Sequence, residues 1–153
     1  MTTVLVTFHS QTGNTKSMAE AVARGANDTE NARAVLKAAL TTTADDLRTC
    51  DGLVICSPEY FGYMAGAVKD LFDRTYEELK DDPAMYRKPY CVVVSAGNDG
   101  SGTLTNIERL CRGYRFRKVQ QPLVCKGPVT EEALGRCYEL GRTVAEGLLI
   151  GIF

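Results

Sequence analysis

Three short runs in this chain are apolar almost from end to end: Val4-Leu5-Val6-Thr7-Phe8, Leu53-Val54-Ile55-Cys56 and Tyr90-Cys91-Val92-Val93-Val94. A strand with one face in water alternates polar and apolar residues, so runs without alternation belong to strands covered on both faces. Stretches of helical period and crossover length separate them. Residues 15–26 place Met18, Val22 and Ala26 on one face, and Val68, Leu71, Phe72, Thr75 and Leu79 form the clearest helical stripe. Two more helices are expected, one carrying Leu104, Ile107, Cys111 and Tyr114, the other running from about Thr130 through Leu134, Cys137, Val144 and Leu148. A weaker strand over 34–40, a short capped helix at 43–47 and a final strand near 119–125 complete the series. Strands joined by helical crossovers make a parallel sheet. The expected fold is α/β: a three-layer, doubly wound sandwich with a five-stranded parallel sheet, one domain over residues 1–153.

Composition narrows the partners. Eighteen basic residues against 19 acidic ones leave a net charge of −1, which supplies no broad basic face for nucleic acid. No Lys or Arg precedes the first apolar run, and the apolar tail from Leu148 to Phe153 falls far short of the roughly 20 residues of a membrane span. The expectation is a soluble, cytoplasmic protein with no membrane or nucleic-acid partner. Six cysteines form no C-x-x-C pair, and His9 is the only histidine, so no metal site is expected. Cys56, Cys91, Cys111 and Cys137 fall at apolar positions of strands and helices and read as buried, reduced thiols.

In a doubly wound sheet, ligands bind beyond the carboxyl ends of the strands, where the strand order reverses. Three loops on that edge are rich in glycine or hydroxyls. The first, Ser10-Gln11-Thr12-Gly13-Asn14-Thr15, runs directly into a helix, whose free N–H groups and dipole favour an anion. It holds no lysine, so it is not the G-x-x-x-x-G-K-[ST] cradle of nucleoside triphosphates, and a single terminal phosphate on neutral donors fits it better. The second, Pro58-Glu59-Tyr60-Phe61-Gly62, brings aromatics to the same rim. The bland reading of Phe61, Tyr63 and Met64 is packing against the next helix, and for Met64 it is the expected one. The third, Ser95-Ala96-Gly97-Asn98-Asp99-Gly100, offers backbone polar groups without bulk, as the edge of a flat heterocycle requires.

Ser10-x-Thr12-Gly13-Asn14-Thr15 after the first strand resembles the FMN-phosphate loop of the flavodoxin family. Ser57-Pro58-Glu59-Tyr60-Phe61-Gly62-Tyr63-Met64-Ala65-Gly66 is similar to the S/T-P-x-x-F-G-x-M-x-G stretch of its NAD(P)H:quinone oxidoreductase branch, the tryptophan-repressor-binding-protein type. Ser95-Ala96-Gly97 followed by Gly100 is similar to that branch's third flavin loop. The resemblance implies FMN as cofactor, with its phosphate on Ser10 to Thr15. Pro58 to Gly62 would line the isoalloxazine near N5, and Ser95 to Gly100 its pyrimidine edge. It also leaves room for a homodimer whose subunit contact lies near the flavin.

Two functions then compete. An FMN-dependent oxidoreductase would pass electrons from NAD(P)H to a quinone or similar small acceptor. A small electron carrier would exchange them with redox proteins. Carriers resembling short flavodoxins cover the ring with an aromatic from the third loop, and residues 95–102 contain none, which favours the enzyme. The C-x5-R spacing of Cys111 and Arg117 suits a phosphatase, but Cys111 keeps a helical period instead of opening a loop. The basic run Arg112 to Lys118 reads as a solvated helix end, with attraction of the nicotinamide donor's phosphates or of an acidic partner as a second reading.

Overall fold

A computed structural model describes residues 1–153. Strands β1 (Thr2–Phe8), β2 (Ala32–Ala38), β3 (Gly52–Tyr60) and β5 (Pro89–Ala96) lie parallel, with β1 between β2 and β3, and β3 between β1 and β5. The fifth position is shared by β6 (Arg117–Lys118) and β7 (Leu123–Lys126), both parallel to β5. A two-residue strand, β4 (Tyr63–Met64), turns back antiparallel onto the end of β3. The helices are α1 (Asn14–Asn27), α2 (Ala44–Thr49), α3 (Gly66–Leu79), α4 (Ser101–Gly113) and α5 (Glu131–Leu149). This is the three-layer, doubly wound arrangement expected from the sequence. No helix is long and apolar enough to cross a membrane.

The unbroken apolar runs serve two cores at once. Along β1, β3 and β5, Val4, Val6, Val54, Cys56, Cys91 and Val93 face Met18 and Val22 of α1 and Cys137 and Val144 of α5. Their neighbours Leu5, Leu53, Ile55, Val92 and Val94 face Leu47, Val68, Leu71, Phe72 and Ile107 on the other side. Period-two geometry sends successive side chains to opposite layers, so a polar residue in these runs would meet a core whichever way it pointed.

The final strand differs from the continuous 119–125 expected. From Lys118 to Leu123 the chain advances five residues while its partner advances three, from Tyr90 to Val93. The surplus is thrown out at 119–122, where Pro122 also lacks an N–H for the ladder. The basic run lies at this strand's start. Tyr114 and Phe116 are buried in the core, while Arg112, Arg115 and Lys118 face solvent. Arg117 and Lys118 pair with Pro89 and Tyr90 at the opposite end of β5 from Ala96, about 20 Å away at ~3.3 Å per residue. The cluster thus stands at the opposite end of the sheet from the three loops.

All six cysteines are buried and unpaired. Burial pushes the Cys50 and Cys137 thiols up to about 11 and Cys91 to about 12. Cys111 also rises well above the ordinary thiol range through burial, and it sits inside α4, so it is no phosphatase nucleophile.

Candidate functional site

The chain leaves β1 toward β2 on one side, and β3 lies on the other, so the strand order reverses between β1 and β3. A cavity of about 250 Å³ opens at that point, beyond the carboxyl ends of β1, β3 and β5. It is lined by Ser10, Gln11, Thr12, Asn14 and Thr15 from the first loop, Pro58, Glu59 and Tyr60 from the second, and Ser95, Ala96 and Gly97 from the third. Gly127, from the turn after β7, closes the wall. That last residue was missed in the sequence, although Lys126-Gly127-Pro128 is a strand-end turn on the same edge. Larger hollows lie elsewhere, about 430 Å³ between α3 and α4 and about 590 Å³ along α5. Neither receives a strand's carboxyl end and its following helix start.

At one end of the cavity the first turn of α1 is uncapped. Gly13 precedes it with φ 100°, a left-handed conformation that costs glycine little, and no side chain accepts from the helix start. The Ser10 hydroxyl accepts from Gly13 N–H instead, at 3.1 Å. The first helical amide bonded inside the protein is that of Ser17, to the Gly13 carbonyl. The N–H groups of Asn14, Thr15 and Lys16 are therefore left for a ligand, ringed by the hydroxyls of Ser10, Thr12 and Thr15. No cationic side chain lines the cavity. Such a set suits a phosphomonoester oxygen cluster better than a triphosphate with its metal.

The second loop is a tight hairpin. Tyr60 pairs with Tyr63 and Glu59 with Met64, leaving Phe61 and Gly62 as the turn, with φ 53° and 71°. Positive φ at both turn residues matches the twist that two-residue hairpins need, and a bulky residue there is an outlier. Met64 is buried, as expected, but Phe61 does not pack on the next helix: its ring stands fully in solvent at the tip. Gly62 reaches the start of α4 so closely that a Cβ on Gly102 would lie 2.0 Å from its carbonyl oxygen. His9 meets the Tyr60 ring edge-on, with centroids 6.2 Å apart.

Of the residues singled out in the sequence, eleven line the cavity and six do not: Gly13, Phe61, Gly62, Asn98, Asp99 and Gly100. Gly13 shapes the helix start. Asp99 turns away to accept from Ser101 N–H at 3.0 Å and Ser101 hydroxyl at 2.9 Å, and those bonds hold its carboxyl below the usual range. Asn98 and Gly100 donate their N–H groups to Glu59, each at 2.8 Å. No local pattern in the sequence announces that pairing, since it spans about forty residues.

The model of the NADPH-dependent FMN reductase family matches residues 18–110. The chain belongs to this family. A flavodoxin from Aquifex aeolicus is 32% identical over 96% of this chain and 87% of its own. In shape, a flavodoxin from the domain Archaea superposes with a TM-score of 0.81 at 22% identity, covering 95% of this chain and 98% of that one. The flavodoxin-like, WrbA-like protein of Agrobacterium tumefaciens gives 0.80 at 20% identity, covering 97% and 98%. FMN is the cofactor of this flavodoxin-like family. The cavity fits it: free helix amides and hydroxyls for the phosphate, and a slot between Tyr60 and the glycine-rich third loop for a flat ring.

Proposed function

We propose that this protein is an FMN-dependent oxidoreductase that takes electrons from NADH or NADPH and delivers them to a quinone or a similarly flat small acceptor, as in the tryptophan-repressor-binding-protein-type branch. The observation that carries this reading is the bareness of the slot's mouth. The third loop brings no aromatic side chain, and around Gly97 a Cβ would meet nothing within 4 Å. A second planar molecule has room to stack there. Bound FMN supplies the redox chemistry itself, accepting a hydride and releasing electrons singly or in pairs. The chain's own residues do the holding: Ser10, Thr12 and the amides of Asn14 to Lys16 grip the phosphate, while Pro58, Tyr60, Ser95 and Gly97 border the ring.

A small flavodoxin-type electron carrier is the second reading, and one observation favours it: the Phe61 ring, fully exposed beside the mouth, offers a contact for a protein partner. Anaerobic stopped-flow mixing of the FMN-loaded protein with NADH and with NADPH separates the two. The proposal expects saturable bleaching of the flavin by at least one of them, and turnover when a quinone is added. Bleaching by neither, with rapid reduction by a ferredoxin-type donor, selects the carrier.

A further inference from the structure

Glu59 is the one charged side chain that lines the cavity, and neither of its oxygens is free. Oε1 accepts the Asn98 N–H and Oε2 the Gly100 N–H, both at 2.8 Å. Glu59 stands at the end of β3, where its backbone is fixed by pairing with Met64. Ser57 adds a second anchor: its buried hydroxyl accepts from Ala65 N–H at 3.0 Å and ties the two ends of the hairpin segment together. The hairpin is thus rigid. The third loop has no ladder of its own beyond Ala96: Gly97, Asn98 and Asp99 are exposed, and its local tie is Asp99, which accepts from Ser101 at the start of α4. The β3–β5 ladder ends at Pro58 and Ser95, and Gly62 seats closely on Gly102; between those two points the Glu59 carboxylate joins the segments.

We propose that Glu59 is a positioning residue that holds the third loop in its binding-ready shape before any flavin arrives. This rests on the FMN reading of the cavity. A glycine-rich loop without that tie samples many conformations, and ordering it on binding would subtract from affinity. Charge-assisted hydrogen bonds from two amides remove that penalty in advance. Glu59 acts through the loop and not on the reacting atoms. It serves the ring end of the cofactor, whereas the phosphate end depends on the first turn of α1.

The division gives the test. Riboflavin carries the ring without the phosphate, so calorimetric titrations with riboflavin and with FMN report the two ends separately. Amide hydrogen exchange of the flavin-free protein reports the clamp itself. In Glu59→Gln, one accepting oxygen becomes an NH2 donor. Exchange at Asn98 and Gly100 is expected to accelerate about tenfold, with local exchange at the start of α1 unchanged and the thermal midpoint lowered by only about 4 °C. Riboflavin and FMN are expected to weaken by the same factor, about tenfold. Glu59→Asp, one methylene shorter, supplies a second variant if the amide folds poorly, and it should show the same pattern. Unchanged protection at both amides, unchanged flavin affinity, or a loss for FMN alone would overturn the assignment. Should the wild-type protein bind neither flavin, the FMN reading fails, and the exchange measurement alone decides whether Glu59 holds the loop.

Discussion

The helices of this molecule begin in two different ways, and the difference follows their place along the sheet. At the periphery, α2 and α5 start on threonines. Thr43 accepts from Asp46 N–H and receives its side chain in return, a reciprocal capping box, and Thr130 accepts from Ala133 N–H. At the centre, α1 and α4 start on left-handed glycines with no side-chain cap from that position, and α3 starts on Ala65, which has none to offer. A capped start satisfies its own amides and stabilises the helix. An uncapped one leaves them for something else. At α4 the Asp99 carboxylate takes the first helical amide, Ser101 N–H; at α1, where the strand order reverses, none is taken, and that is the start proposed here for the FMN phosphate.

Substitutions can reverse the two kinds of start. The largest effect is expected from Thr12→Asp, which puts a carboxylate beside the open amides of α1. It should weaken FMN by about 100-fold while leaving the flavin-free protein as stable as before, since an acid is welcome at a helix start. Calorimetry and thermal melts check the two halves. Thr43→Ala and Thr130→Ala should each cost about 1 kcal/mol of folding stability in denaturant titrations, with FMN affinity untouched.

A smaller effect separates the two regions by pH. Burial alone would raise the Asp46 carboxyl, but hydrogen bonds from Lys37 and Thr43 outweigh it and set it below its ordinary value of 3.8. A lowered carboxyl contributes stability that is complete above the unfolded value and fades as pH falls through the folded one. Acid titration of wild type against Asp46→Asn should therefore show a difference in stability above pH 4 that closes below it. The α1 start holds no titratable cap and should add nothing to that difference. The smallest effect concerns salt: with no cation lining the cavity, FMN affinity should change less than about threefold between 0.05 and 0.5 M salt.

The layers were legible because physics writes them locally. Val54 and Ile55 must both be apolar when adjacent side chains face different cores, and the Val68–Leu79 stripe can bury only as a helix. The edge strand 32–38 was fainter because alternate residues there face solvent. The break at 119–122 could not be seen, because a surplus of two residues exists only relative to β5. By contrast, the first loop's hydroxyls beside a helix start are a local signal, and the structure brings them together at one cavity. The tie from Glu59 to Asn98 and Gly100 joins residues that meet only once the sheet has formed. Phe61 was placed on the cofactor rim, with packing against the next helix as its bland reading, and the structure puts it in neither place. Its place at a two-residue turn, where both φ angles are positive, leaves the ring nowhere to go but outward.

Backbone amide NMR of the flavin-free protein titrated with FMN addresses the uncapped helix directly. The Asn14, Thr15 and Lys16 amides should move downfield together, saturating at one equivalent, while the amides capped by Thr43 and Thr130 stay in place. Saturable binding that leaves those three resonances unmoved would contradict the account.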